Sequence, residues 1–281
     1  GISFMIQDEL HLMAESMGNF DAHYESLLYA IQEAFGGRKP KVLAATATIK
    51  DVEHHVNHLY QRQARPFPAQ GFKLGESFYT KVVLDPDNND KPMVRRLFAG
   101  IMPMGTGPAV YRSTAKASRR YIQLIDDLIE ALGDATTAPK TTVELGFDAS
   151  KADNLKAQLG EFLSANMIYA NSNPGMSDIA GFLEDGGGDE APNYPFTQLS
   201  GDSSLDEIQD AILHMETRGP GDNPRQILAN SVVSHGVDIA QLNFMVISKW
   251  TKSISEYMQV SARAGRIQPG LVLVLLDGKS V

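Results

Sequence analysis

Apolar positions along the chain fall into two alternating rhythms, and their order reads as a parallel α/β protein. Ile2-Ser3-Phe4-Met5-Ile6 is a short apolar run with the length of a strand, and Lys41-Val42-Leu43-Ala44-Ala45 is a second. Between them Leu27, Leu28, Ile31 and Phe35 fall at helical spacing, and Gly36-Gly37 ends the pattern. This predicts a helix over 24–35 inside a strand–helix–strand crossover. A further helix is expected from 51 to about 60, ending before Arg65-Pro66-Phe67-Pro68, and a strand over 78–84 leads into the polar turn Asp85-Pro86-Asp87-Asn88-Asn89-Asp90.

Beyond that turn the alternation becomes regular. Strands are expected at 97–101, 167–170, 196–199, 226–229, 244–247 and 271–276, with helices over 115–132, 151–163 and 253–262. Ser204 and Glu207 have the spacing of a capping box and open a further helix carrying Ile208, Ala211, Ile212 and Met215. The pattern divides the chain into a partial first domain at 1–60, a connecting segment at 61–90 and a second, complete doubly wound domain at 91–281.

Composition narrows this picture. With 43% hydrophobic and 21% charged residues the 281-residue chain is globular, and its longest apolar run, Leu271 to Leu276, is too short to span a membrane. There is no cysteine, so neither disulfides nor thiolate-bound zinc can support the fold. No basic, apolar leader opens the sequence, and a cytoplasmic location is expected. The net charge of −9 argues against a bulk positive field for nucleic acid, so such a partner would need local basic patches. Arg38-Lys39-Pro40-Lys41, Arg95-Arg96 and Lys116 with Arg119-Arg120 are the tightest clusters, and each reads first as a solvated face.

The chemistry gathers at three places. Asp8 and Glu9 follow the first strand, where a parallel sheet opens its ligand crevice; one acid suits hydrated magnesium and the other an attacking water, although adjacent acids there also serve as helix caps. Thr46-Ala47-Thr48 ends the next strand and brings two hydroxyls to the same edge, within expected reach of the carboxylates. Gln259, Arg263 and Arg266 recur near the C-terminus, and the two guanidiniums, three apart, are expected on one helical face from which they would reach a polyphosphate.

Taken in order, Asp8-Glu9-Leu10-His11, Thr46-Ala47-Thr48, Ser234-His235-Gly236-Val237-Asp238 and Gln259 to Arg266 resemble motifs II, III, V and VI of superfamily-two helicases. More narrowly, residues 4–11, Arg65-Pro66-Phe67-Pro68 and the stretch 230–247 resemble the helicases of the DISARM phage-defence systems. The resemblance implies a RecA-like P-loop NTPase fold, with parallel sheets flanked by helices, in which two domains clamp ATP. It also implies DNA as a partner, a DrmB-like partner subunit, and a motor driven by ATP with Mg2+. By position it gives Asp8 to magnesium through water and Glu9 to the hydrolytic water. His11, Thr46 and Thr48 would couple the nucleotide site to domain closure, and Gly236 and Asp238 would line the nucleotide. Asn230 and Ser231 would meet the nucleic-acid backbone. Gln259, Arg263 and Arg266 would contact phosphates, with Arg266 as the finger. Ala262 stands where many relatives carry Gly, and its methyl is expected to disturb the loop.

No Gly-x-x-x-x-Gly-Lys-Ser/Thr phosphate loop occurs in the sequence. Gly100-Ile-Met-Pro-Met-Gly105 keeps the glycine spacing without the lysine and reads as a strand-to-helix turn. In the family the phosphate loop precedes motif II, so the first domain is expected to be incomplete and the isolated chain to hydrolyse ATP poorly or not at all. Competing readings are a nucleic-acid- or partner-binding module without turnover, and a metal-dependent hydrolase built on Asp8, Glu9 and His11. His54 and His58, four apart on a helix, invite a metal reading but lack a visible third ligand. Phe67, Phe72, Phe78 and Tyr79 suit base stacking or, more simply, core packing and interdomain contacts.

Overall fold

A computed structural model describes residues 3–13, 15–46, 51–68, 71–73, 75–85, 88–185, 192–217, 222, 224–230, 239 and 242–278. The chain divides into two compact units, Gly1–Met93 and Val94–Val281. Among the described residues no helix is long and apolar enough to cross a membrane.

The first unit opens with the expected crossover. Strands β1 (Phe4–Gln7) and β2 (Lys41–Ala44) pair in parallel with Phe4 opposite Lys41, and helix α1 (Glu15–Ala34) connects them. The helix starts nine residues before the expected position, and Ala22 in its first half packs against the small core. It ends where Gly36 takes φ +70°, with the Gly36 amide on Glu33 O and the Gly37 amide on Gln32 O, both at 2.9 Å. The apolar stripe that revealed α1 does not face the core. Leu27, Ile31 and Phe35 are exposed, and the buried side of the helix carries Glu25 and Tyr29 instead. Tyr29 packs with Leu10, Leu59 and Tyr60, the last two from α2 (Val52–Tyr60). The strand expected over 78–84 is realised only as β3 (Leu84–Asp85), antiparallel to β4 (Asn88–Pro92), since Phe78 and Tyr79 lie in a side-chain-bonded turn.

In the second unit, six strands form one parallel sheet. In chain order the elements are β5 (Arg96–Ile101), α3 (Pro108–Gly133), α4 (Ala138–Glu144), α5 (Ala152–Gln158), β6 (Asn166–Ala170), α6 (Asn173–Glu184), β7 (Phe196–Leu199), α7 (Leu205–Thr217), β8 (Gln226–Ala229), β9 (Phe244–Ser248), α8 (Ile254–Ser261) and β10 (Gly270–Leu275). The spatial order is β5-β10-β9-β6-β8-β7. Alternation along each strand divides the core between two faces. Met167 and Tyr169 of β6 pack with Ala211, Met215 and Val260 of α7 and α8, while Ile168 and Ala170 pack with Ala115, Ile179 and Leu183 of α3 and α6. Both faces are therefore covered by helices, which is why the central strands read as uninterrupted apolar runs.

Local signals account for several boundaries. The Ser204 amide donates to Glu207 Oε2 at 2.8 Å and the Glu207 amide to Ser204 Oγ at 3.2 Å, completing the capping box. Gly100 ends up inside β5, and Met102 to Gly107 is the strand-to-helix turn between β5 and α3, with Gly105 and Gly107 at positive φ and Pro108 opening the helix. Helix α6 was not anticipated, although Ser172, which accepts the Gly175 amide, and the spacing Met176, Ile179, Ala180, Leu183 announce it.

Glu25 supplies a test of the first unit. It is only 5% exposed, and burial, then the nearby Asp21, raises its pKa above 4.5 against the opposing hydrogen bond from Tyr29 and the charge of Arg62. A raised folded value favours the protonated acid. This stability is fully present below about pH 4.5 and is lost as pH rises through the folded value. Glu25→Gln should therefore melt above wild type at neutral pH and converge with it toward pH 4.5, followed by thermal unfolding across that interval.

Candidate nucleotide and nucleic-acid site

The acidic loop of the first unit is built on a buried anchor. Leu10 is 2% exposed in the small core, and its amide donates to Ala45 O at 3.0 Å, continuing the β1–β2 pairing past the strand ends. Its carbonyl accepts from His55 Nε2 of α2 at 3.2 Å. Asp8 and Glu9 stand exposed ahead of this anchor. Glu9 holds φ 49° and ψ 46°, a left-handed conformation that costs a non-glycine residue about 1–2 kcal/mol. Its amide donates to Asp8 Oδ1 at 2.8 Å, and its carbonyl accepts the Leu12 amide at 2.9 Å.

The two parallel strands deliver their following residues to one edge. There His11 Nδ1 lies 3.0 Å from Thr46 Oγ1 and 3.4 Å from Glu9 Oε2. Thr46 was expected to bond the carboxylates; it meets the imidazole instead, because His11 occupies the space between the two strand ends. Thr48, together with Ser231, Gly236 and Asp238, lies outside the described residues.

In the second unit the arginines are not on a helix. α8 ends at Ser261, and Arg263 and Arg266 occupy the turn that precedes β10, which corrects the expectation of one helical face. The chain turns at Gly265, φ +70°, whose amide donates to Leu242 O at 2.9 Å. A Cβ at Gly265 would approach Gly270 N to 2.8 Å and Arg95 O to 2.9 Å, so glycine is required there. Ala262, by contrast, has φ −68° and ψ −12°, a conformation open to any residue. Gln259 is half-buried on α8, Arg263 half-buried and Arg266 exposed.

A residue taken from sequence as part of a solvated basic face holds this turn. Arg96 opens β5 directly opposite Gly270 of β10, and its guanidinium donates from Nε to Ala264 O and from Nη2 to Ala262 O, the latter at 3.2 Å. Arg95 Nη1 donates to Ile267 O at 3.1 Å. Burial, and then the charge of Arg266, lower the Arg96 pKa from its ordinary value. Two guanidiniums of like charge therefore stand close together at this turn. No short-range sequence pattern could reveal Arg96, since its partners lie more than 160 residues away.

The opposite edge of the sheet carries a different set. Asn230 follows β8, is buried, and donates from Nδ2 to Asn173 Oδ1 at 2.6 Å at the start of α6. Asn171 Nδ2 donates to Trp250 O at 3.0 Å, and Trp250 stacks on Tyr257 with centroids 4.8 Å apart. Lys249 sits at φ 65°, 3.4 Å from Asp277 and 4.2 Å from the Tyr111 ring centroid. Burial opposes its charge, but Tyr111 and Asp277 outweigh that and raise its pKa. Asn230 and the arginine turn thus lie at opposite ends of parallel strands.

The acidic loop offers oxygen donors of the kind magnesium prefers. Asp8 is an exposed hard-oxygen donor, and magnesium is commonly held by one or two carboxylates together with substrate phosphates. The described residues contain no group of three or more acids or histidines able to hold a metal by themselves. His54 and His58 stack on each other at 4.3 Å, and His54 with Glu53, Asn57 and the cationic Arg62 lines an open depression of about 520 Å³.

Residues 155–268 match the helicase conserved C-terminal domain. The chain is similar to superfamily-two helicases. It is 27% identical to the DISARM protein DrmA of Bacillus paralicheniformis over 97% of its own length, but spans only 23% of that relative. The DUF1998 helicase MrfA, solved bound to DNA, superimposes with a TM-score of 0.57 at 15% identity, covering 98% of this chain and 31% of MrfA. Dbp5 of S. cerevisiae, solved with RNA and ADP BeF3, gives a TM-score of 0.53 at 13% identity, covering all of this chain and 56% of Dbp5. These likenesses establish the RecA-like α/β fold, with its parallel sheet between helices.

Two substitutions separate the requirements of the arginine turn. Gly265→Ala should cost at least about 1–3 kcal/mol through backbone strain, whereas Ala262→Gly should cost no more than about 1 kcal/mol; urea unfolding followed by circular dichroism measures both. Arg96→Met keeps the apolar stem but removes both donors. It should leave the unit cooperative while speeding hydrogen exchange at the Ala264, Gly265 and Arg266 amides, read by mass spectrometry or NMR.

Proposed function

We propose that this chain is the C-terminal portion of the motor of an ATP-dependent nucleic-acid helicase or translocase, acting on DNA in an anti-phage defence system. The observation that carries the reading is the His11 contact with both Glu9 and Thr46, which ties an acidic loop to the Thr-Ala-Thr segment of the neighbouring strand. The helicase C-terminal domain match and the DrmA similarity support it.

In this reading the Asp8 carboxylate holds magnesium through water. Magnesium held there would supply neutralisation of the phosphate charge. Glu9 orients a water and takes its proton as the water oxygen bonds to the γ-phosphorus and the bond to the bridging oxygen breaks. Arg266, with Arg263 and Gln259 beside it, stabilises charge on the phosphoryl oxygens. A shift of Glu9 is felt at Thr46 through His11, giving the hydrolytic residue a route to β2. Asn230 acts on the nucleic-acid backbone through Asn173, with Ser231 beside it. Thr48 joins the coupling set, and Gly236 and Asp238 line the nucleotide. A DrmB-like subunit would be the protein partner.

The sequence offers no phosphate-loop lysine, so the 281-residue chain should bind single-stranded DNA with a strong salt dependence yet release phosphate far below about 1 s⁻¹ in a malachite-green assay. Absence of DNA binding at low salt would overturn the reading. Should a polypeptide that adds a Gly-Lys-Thr loop remain inactive while binding DNA, the chain is a binding module rather than a motor. In an active form of that kind, Glu9→Gln should lower turnover about 10²–10⁴-fold with DNA binding retained.

A further inference from the structure

Three aromatic side chains in the first unit are ordered against one another yet left in solvent. The Ser77 amide donates to Thr80 O at 2.8 Å, and Ser77 Oγ accepts the Tyr79 and Thr80 amides at 3.3 and 3.2 Å while lying 2.8 Å from Thr80 Oγ1. This turn places Phe78 and Tyr79 at its tip. Their rings meet edge to face at 4.9 Å, and Phe67 completes the group at 5.4 Å from Phe78 and 5.6 Å from Tyr79. Even so, Phe67, Phe78 and Tyr79 are 68%, 75% and 70% exposed, which corrects the expectation of core packing. An apolar cluster fixed by its own backbone and still facing water marks a contact surface.

Charge selects the occupant. From Arg65 to Lys81 the chain carries three cations, Arg65, Lys73 and Lys81, and one anion, Glu76, a local excess of positive charge in a protein of net charge −9. All four are exposed. Rings interleaved with cations match a single strand, whose bases offer π-faces and whose phosphates offer charge; an apolar protein surface would leave the cations without counterpart. We propose that Phe67, Phe78 and Tyr79 form a stacking platform for the bases of a single-stranded nucleic acid, with Arg65, Lys73 and Lys81 serving its phosphates. This rests on the nucleic-acid reading above and adds to it a subsite that reads bases.

The test compares two fluorescein-labelled strands of equal length and charge, an oligothymidylate of about twelve nucleotides and its abasic counterpart, binding to the 281-residue chain by anisotropy. The base-bearing strand should bind about tenfold more tightly. Phe78→Ala and Tyr79→Ala should each reduce that preference about fivefold or more, while Phe78→Trp and Tyr79→Phe retain it. Because these rings are exposed, the variants should melt with wild type, and a matched melting temperature assigns the loss to the platform. Equal affinity for the two strands overturns the platform and leaves the nucleic-acid reading intact. Binding of neither strand overturns both. Concentration-dependent self-association that disappears in Phe78→Ala, with no preference for bases, makes the patch a docking surface for a second copy and likewise overturns the proposal.

Discussion

Parallel pairing of β5 with β10, with Arg96 opposite Gly270, is the constraint on which the arginine turn depends. It brings the first strand of the second unit beside the last and sets a guanidinium under the carbonyls of Ala262 and Ala264. The turn cannot relax toward a helix, because Gly265 is in the left-handed region and packed against backbone on two sides. Arg263 and Arg266 therefore sit on a fixed frame, with Arg266 Nε turned back to within 3.4 Å of Ala262 O and the Arg96 charge nearby. Preorganisation of this kind lets a charged side chain act without ordering a loop at the moment of binding.

The same rule of direction organises the rest. In a parallel sheet the residues following each strand share one edge and those preceding each strand share the other. In the first unit this rule brings Asp8, Glu9 and His11, after β1, to the same edge as Thr46, after β2. In the second it separates Asn230, Asn171 and Lys249 from the arginine turn. Two separate sets of polar side chains thereby occupy one sheet without competing for the same space.

Polar groups under the surface make these loops definite. Leu10 anchors the acidic loop by burial, and His55 secures its carbonyl. Lys249 is held between Asp277 and the Tyr111 ring, just past a strand whose first four residues are apolar. Each arrangement gives a buried or half-buried polar group a partner, and each would be costly to break for that reason.

Strands and long helices could be read directly from the sequence because their signal is local. The runs 244–247 and 271–276 are apolar enough to define strands, and Ser204 with Glu207 announces a helix start by hydrogen bonds spanning three residues. The identity of the acids and arginines was likewise visible, since motif spacing is a property of the chain. Facing and reach were not. The stripe Leu27, Ile31 and Phe35 has helical spacing but turns outward, and periodicity carries no information about which side finds a core. Arg263 and Arg266 have helical spacing but lie in a turn, because Gly265 and the Arg96 clamp override it. His11 with Thr46, and Arg96 with Ala264, meet only when strands distant in sequence pair in register, and register is decided by burial of the whole sheet rather than by any one segment.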